Sequence, residues 1–310
     1  MKRDLVSLHD LGSDELRGLL SLAAELKAKL EAGEEHALLK GRTMALVFEK
    51  PSLRTRVTFE TGMAQLGGHT VYLAPDDIGL GKRESVGDVA RTLSQWIDVI
   101  VARTFNHATV AELAAHASVP VINGLTDLLH PCQVLADCLT LQELRPELDA
   151  LSIVFVGDGN NVVNSWLVAA AKLGLNFTLV CPPGYEPDAE ILQLARSAVG
   201  ASVTITNDLE AGTAGADVLY TDVWTSMGQE AESETRLEAF ASYQLNQAVV
   251  DNASRDVIVM HDLPAHRGQE ITDEVLDGPR SVVMRQAENR LHVQKAVLAW
   301  LLGAAEAQAE

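Results

Sequence analysis

One pattern constrains this chain more than any other: short apolar runs end in polar turns, and longer helical patterns follow. Residues 151–156 (LSIVFV) show it best, with the turn GDGNN and a helical pattern over 162–173 behind them. Residues 43–48 (TMALVF) repeat it, leading through EKPS into a helical run that ends at Gly67-Gly68. A strand that is apolar on both faces needs cover on both. Strands alternating with helices therefore imply an α/β fold of parallel sheets flanked by helices.

Further strands fit residues 69–73, 98–103 and 119–123, with helices over 85–96, 108–117 and 131–144. Ahead of them Ser13 suits a helix N-cap. Leu16, Leu19, Leu20, Ala23, Leu26 and Leu30 then keep helical spacing up to Gly33. The pattern restarts around Arg145-Pro146-Glu147. Strands follow at 176–181, 202–206, 217–221 and 256–260, and a last helix spans 287–302. A chain of 310 residues exceeds what one hydrophobic core usually supports, so two domains are expected, divided at 147/148.

Charge narrows the partners. The formal net charge is −19, which repels nucleic acid and anionic membranes. A protein this acidic that handles anions must concentrate its arginines locally. Cys132, Cys138 and Cys181 show no zinc or redox spacing, and reduced thiols in a cytoplasmic protein are the simplest reading. The first ten residues carry no signal-peptide run, and no stretch approaches the ~20 apolar residues of a membrane span.

Seven segments look chemical. In Phe48-Glu-Lys-Pro-Ser52-Leu53-Arg54-Thr55-Arg56 a strand ends and a helix begins. Free N–H groups and the helix dipole favour an anion there, and Ser, Thr and Arg add donors. An ordinary cap with solvated arginines is equally compatible with the spacing. Arg103 ends an apolar strand, and His130-Pro131-Cys132-Gln133 opens a helix. Taken singly, an exposed arginine, a structural histidine and a packed cysteine are the plainer readings. The turn GDGNN lacks the third glycine of a dinucleotide motif. Asp222–Gly228 (DVWTSMG), His261–Gly268 (HDLPAHRG) and Ala287–His292 (AENRLH) complete the set. All but the last follow apolar strands, where a shared cleft would form.

Together these segments resemble the aspartate/ornithine carbamoyltransferase family, and within it the ornithine enzymes. The carrying motifs are Ser52-Leu53-Arg54-Thr55-Arg56, His130-Pro131-Cys132-Gln133, Asp222 with Ser226-Met227-Gly228, and His261-Asp262-Leu263-Pro264. The resemblance runs from about residue 48 to 292. It implies a carbamoyl-phosphate domain, 1–147, completed by a returning C-terminal helix, 286–310, and an ornithine domain, 148–285. Ser52, Leu53, Arg54 and Thr55 would hold the phosphate end, with Arg290 completing the anion site. Arg103, His130 and Gln133 would hold the carbamoyl group, and Asp262 and Leu263 would accept its NH₂ through backbone carbonyls. Asn161, Asp222, Ser226 and Met227 would orient L-ornithine. The catalytic set would be Arg54, Arg103, His130 and Asp262. The resemblance implies no metal, no cofactor and a homotrimer, with a higher assembly of trimers open.

Three positions depart from the family pattern. Leu53 stands where Thr is common, Gly79 where some members carry a Gln or His that reaches a neighbour's site, and Asp262 where ornithine enzymes usually have Cys. The expected chemistry is attack of a neutral amine on the carbamoyl carbon. Arg103, Thr55 and His130 would stabilise the oxyanion, at ~3–4 kcal/mol for each such preorganised donor. Asp262 leaves other readings open: another amine acceptor such as putrescine or an acylated ornithine, or a weakly active carbamoyl-phosphate-binding paralogue. GDGNN alone motivates a nucleotide-dependent oxidoreductase.

Overall fold

The computed structural model describes residues 2–226 and 228–304. The chain forms two compact units, Met1–Leu139 with Glu288–Glu310, and Thr140–Ala287.

In chain order the first unit contains α1 (Ser13–Glu31), β1 (Thr43–Phe48), α2 (Leu53–Gln65), β2 (His69–Leu73), α3 (Pro75–Ile78), α4 (Val86–Leu93), β3 (Val99–Arg103), α5 (His107–His116) and β4 (Val121–Leu125). Helix α6 (Pro131–Leu144) runs across the division. The second unit contains β5 (Ser152–Val156), α7 (Asn161–Leu173), β6 (Asn176–Val180), α8 (Ala189–Ser197), β7 (Ser202–Thr206), α9 (Leu209–Thr213), β8 (Val218–Thr221), α10 (Ser233–Phe240), α11 (Gln247–Asn252), β9 (Ile258–His261) and α12 (Asp273–Leu276). Helix α13 (Val283–Leu301) returns, and from Glu288 onward it belongs to the first unit.

Both sheets are wholly parallel, as the alternation of runs and helices requires. Their orders are β2-β1-β3-β4 and β7-β6-β5-β8-β9. The central strands β1, β3, β5 and β8 are buried almost along their length, while the edge strands β2 and β7 hold only exposed and half-buried positions. Each sheet winds outward in two directions from its middle, between β1 and β3 in one and between β5 and β8 in the other. Loops leaving the C-terminal ends of such a strand pair diverge and open a crevice, where α/β folds bind ligands. Phe48 and Arg103 are register partners at one of these ends.

Several boundaries differ from expectation, among them the end of α4 at Leu93 and the span of β9 at Ile258–His261, and two more have a clear physical reason. Gly12, not Ser13, is the N-cap of α1, because the Glu15 carboxylate reaches back and accepts the Gly12 N–H at 2.8 Å. An acid in the first turn also suits the helix dipole. Helix α13 starts at Val283 rather than near 287. Gln286 in its first turn is fully buried, accepting the His261 N–H at 3.0 Å and donating to Tyr220 Oη at 2.9 Å. A turn held by polar partners offers no apolar periodicity to read.

Candidate active site

In the first unit the cap of α2 is built by Ser52, whose Oγ accepts the Thr55 N–H at 3.2 Å and keeps its own hydroxyl proton to donate. Leu53 leaves 75% of its surface exposed. Its side chain therefore offers an anion nothing, and what remains is the N–H of a first-turn residue, which has no intrahelical acceptor. Arg54 is half-buried beside it, and Thr55 is fully buried.

Thr55 is where the cationic side chains meet. Its Oγ1 accepts from Arg290 Nη2 at 2.8 Å and from Arg103 Nη1 at 3.2 Å. Arg290 also donates to Gln133 Oε1 at 2.7 Å, and Gln133 Nε2 donates to Asp137 Oδ1 at 2.8 Å. His130, buried, immediately precedes the first residue of α6. Two buried guanidiniums on one hydroxyl repel each other, and an anionic ligand relieves that repulsion. Cys132 lies within this region as a packed thiol. Burial pushes its pKa up to about 12 against the opposing pull of Arg290, and its Sγ contacts the Asn123 carbonyl at 3.6 Å. Gly79 caps α3 in the left-handed conformation, φ 58°, and a Cβ there would lie 3.0 Å from Arg83 Cβ. The loop is built around glycine at that position.

In the second unit Asp222 follows β8 and Asp262 follows β9, and these strands pair Thr221 with His261. Asp222, His261 and Asp262 present ligand atoms within 4.8 Å of one another. They form the one such grouping of His, Cys and acid side chains among the described residues. Its groups engage one another and set one another's ionisation. Burial, then the charge and hydrogen bond of Asp262, push the Asp222 carboxyl well above its usual range, while His261 and the Val223 N–H pull it down. Asn160 donates to Asp222 Oδ2 at 2.7 Å, and its own Oδ1 caps α7 through the Val162 and Val163 N–H groups.

His261 is enclosed. Its Nε2 lies 3.0 Å from Glu270 Oε1, and its Nδ1 accepts the Leu263 N–H at 2.9 Å. That contact belongs to the neutral ring; protonation makes Nδ1 a donor and turns it toward Asp262 Oδ1, 3.6 Å away. Burial disfavours a charged ring, but the hydrogen bonds of Asp262 and Glu270 and the charge of Asp222 outweigh it, raising the pKa to about 9. Leu263 takes φ 61°, left-handed backbone that costs a non-glycine residue ~1–2 kcal/mol and clusters at functional sites.

The residues named from sequence thus fall into two groups. Thr55, Arg103, Gln133 and Arg290 are joined by hydrogen bonds in the first unit, with Ser52, Leu53, Arg54 and His130 on the same strand ends and helix starts. Asp222 and Asp262 are joined in the second. Asn161 and Ser226 are half-buried on the segments after β5 and β8, and Leu263 follows Asp262. Met227 lies outside the described residues. Sequence reasoning chose Asn161 and passed over Asn160, whose position just before a helix, the usual place for a capping Asn, was the available signal.

Residues 3–143 match the aspartate/ornithine carbamoyltransferase carbamoyl-P binding domain, and residues 149–301 match the Asp/Orn binding domain of the same family. The ornithine carbamoyltransferase of Geobacillus stearothermophilus is 52% identical over 299 residues, covering 96% of each chain. That of Syntrophus aciditrophicus (strain SB) is 51% identical over 302 residues, covering 97% of this chain and all of its own. The solved structure of ornithine carbamoyltransferase from Pyrococcus furiosus superposes with a TM-score of 0.95 at 48% identity, covering 97% of each chain.

Proposed function

Since this chain belongs to the aspartate/ornithine carbamoyltransferase family, we propose that its first unit binds carbamoyl phosphate and its second binds the amino-acid acceptor. The enzyme transfers the carbamoyl group of carbamoyl phosphate to the side-chain amine of L-ornithine, giving L-citrulline and phosphate.

The convergence of Arg103 and Arg290 on Thr55 Oγ1 carries the residue assignment. In a chain of net charge −19 these cations supply what a phosphate needs. The Ser52 hydroxyl, the Leu53 N–H, Arg54, Thr55 and Arg290 hold the phosphate end. A guanidinium fork suits it, and an interaction that strengthens as the phosphate departs raises turnover rather than affinity alone. Arg103, His130 and Gln133 surround the carbamoyl group. As the amine attacks, charge builds on the carbonyl oxygen, and donors already in place stabilise it without reorganising. The amine loses one proton overall, which the departing phosphate can carry away. Asp222 pairs with the α-ammonium of L-ornithine, with Asn161, Ser226 and Met227 completing the acceptor set. Asp262 lies beside the attacking amine.

The motif resemblance supports a cytoplasmic homotrimer serving arginine biosynthesis or the arginine deiminase route. Among the described residues no helix is long and apolar enough to cross a membrane. The test is a citrulline assay with carbamoyl phosphate and L-ornithine, with putrescine and N-acetylornithine as alternative acceptors. Citrulline formed from ornithine in preference to the other products supports the reading, and folded protein that forms none overturns it. Light scattering reads the assembly.

A further inference from the structure

Arg236, on α10, is buried, and none of the roles above uses it. Its guanidinium touches four segments. Nη1 donates to Asp158 Oδ2 at 2.8 Å and to the Trp224 carbonyl at 3.0 Å, and Nε donates to Glu232 Oε2 at 3.0 Å. The central carbon lies 5.2 Å from the Tyr185 ring centroid. Asp158, also buried, stands two residues before Asn160, the side chain that holds Asp222. Trp224 lies midway between Asp222 and Ser226 in sequence. Its ring stacks on Phe240, one turn beyond Arg236 on α10, with centroids 5.9 Å apart. One guanidinium thus ties the turn that orients Asp222 to the midpoint of the segment bearing both acceptor residues.

We propose that Arg236 is a positioning residue for the acceptor substrate, fixing Asp222 and Ser226 in their binding geometry by bridging Asp158 to the Trp224 carbonyl. The proposal rests on the reading that Asp222 and Ser226 hold L-ornithine. Stability alone is a weak reason for this junction, because desolvation offsets the attraction within a buried ion pair. Here burial pushes the Asp158 pKa up, and Arg236 holds it back. What the geometry does require is a planar fork serving several acceptors at once, which a lysine ammonium does not reproduce.

Initial rates with both substrates, together with melting temperatures, test this in Arg236→Met, Arg236→Lys, Asp158→Asn/Arg236→Met and Asp222→Ala. Arg236→Met should raise KM for ornithine about tenfold or more and leave KM for carbamoyl phosphate within about twofold. Arg236→Lys should fall between it and wild type. Adding Asp158→Asn removes a buried unpaired carboxylate, so the melting temperature should recover while ornithine KM stays high. Equal changes in both KM values, or an ornithine KM that recovers with the melting temperature, would reduce Arg236 to a structural role and overturn the proposal. If Arg236→Met does not fold, Arg236→Lys, which keeps a charge beside Asp158, is read by the same split. A selective effect of Asp222→Ala without one at Arg236 sinks the positioning role and leaves the acceptor reading standing. An unchanged ornithine KM in Asp222→Ala sinks both.

Discussion

Asp222 and Asp262 bring carboxyl oxygens within 4.8 Å of each other at the C-terminal ends of the adjacent strands β8 and β9. Burial and the charge of Asp262 hold the Asp222 carboxyl well above the usual carboxylate range, because two ionised carboxylates this close repel. His261, Glu270 behind it and Asn160 complete the surroundings.

Replacing Asp262 with Cys should change the pH profile. A thiol is usually neutral near pH 7, so Asp222 would lose the neighbour that raises its pKa and would ionise at lower pH. The acid limb of kcat/KM for ornithine should move to lower pH, and the rate near neutrality should rise. A slower Asp262→Cys enzyme with an unshifted limb would instead identify Asp262 as the base that deprotonates the incoming amine. The same pair sets a stability trend. Because Asp222 titrates above 3.8 when folded, its ionised form costs stability above that raised pKa, and the cost fades as pH falls toward 3.8. Asp262→Asn should therefore raise the melting temperature more at about pH 8 than at about pH 4.

Thr55→Val keeps the shape of a buried side chain and removes the oxygen that two guanidiniums share. Hydrogen bonds to charged groups contribute about 1.5–3 kcal/mol each. We expect kcat/KM for carbamoyl phosphate to fall by at least about tenfold, with a lower melting temperature because two buried guanidiniums lose their acceptor. Arg54→Ala should lower turnover and weaken carbamoyl phosphate in a folded protein. Unchanged kinetics in either variant would remove that residue from the phosphate site.

Asn160→Ala removes two things at once. The α7 cap contributes about 1 kcal/mol of stability, and the support of Asp222 is lost with it. Asn160→Asp keeps the cap oxygen but places a third acid beside Asp222 and Asp262. Both variants should raise KM for ornithine and lower the melting temperature, Asn160→Ala at every pH through the lost cap and Asn160→Asp more at neutral than at acid pH through carboxylate repulsion. Steady-state kinetics and thermal melts separate the two contributions.

Inside the first unit, Lys295 is buried with its Nζ 3.0 Å from His36 Nε2 and 3.5 Å from the Leu26 carbonyl. Burial lowers its pKa from 10.5 to about 8. The folded state therefore disfavours the charged form, at a cost that is full below pH 8 and gone above 10.5. Relative to Lys295→Met, the wild-type protein should gain stability across that interval, on the order of 3 kcal/mol. His292 behaves alike at lower pH. Burial, then Lys295, Lys27 and His36, lower its pKa to about 3, so stability should fall as pH drops below 6.5. Denaturant melts of the variants across pH check both slopes.

The alternation of strands and helices and the parallel sheets were legible in the chain itself. Periodicity, caps and turns act over a few residues, so 43–48 and 69–73 could be read with the boundaries they adopt. The segments at Ser52, Arg103, His130, Asp222 and His261 stood out as candidates because they follow apolar strands, where α/β sheets bind ligands. Partnership was a different matter. Thr55 meets Arg290 across 235 residues of sequence, Asp222 meets Asn160 across 62, and Asp158 meets Arg236 across 78. Nothing local encodes those meetings. They follow from which strand lies beside which, from the return of α13, and from burial that forces each polar side chain to find a partner. The sequence could show that Asp262 replaces a cysteine. Only the pairing of β8 with β9 decided that it stands beside Asp222 and raises its pKa, because a carboxyl pKa depends on the charge within a few ångströms and not on the neighbouring residues in the chain.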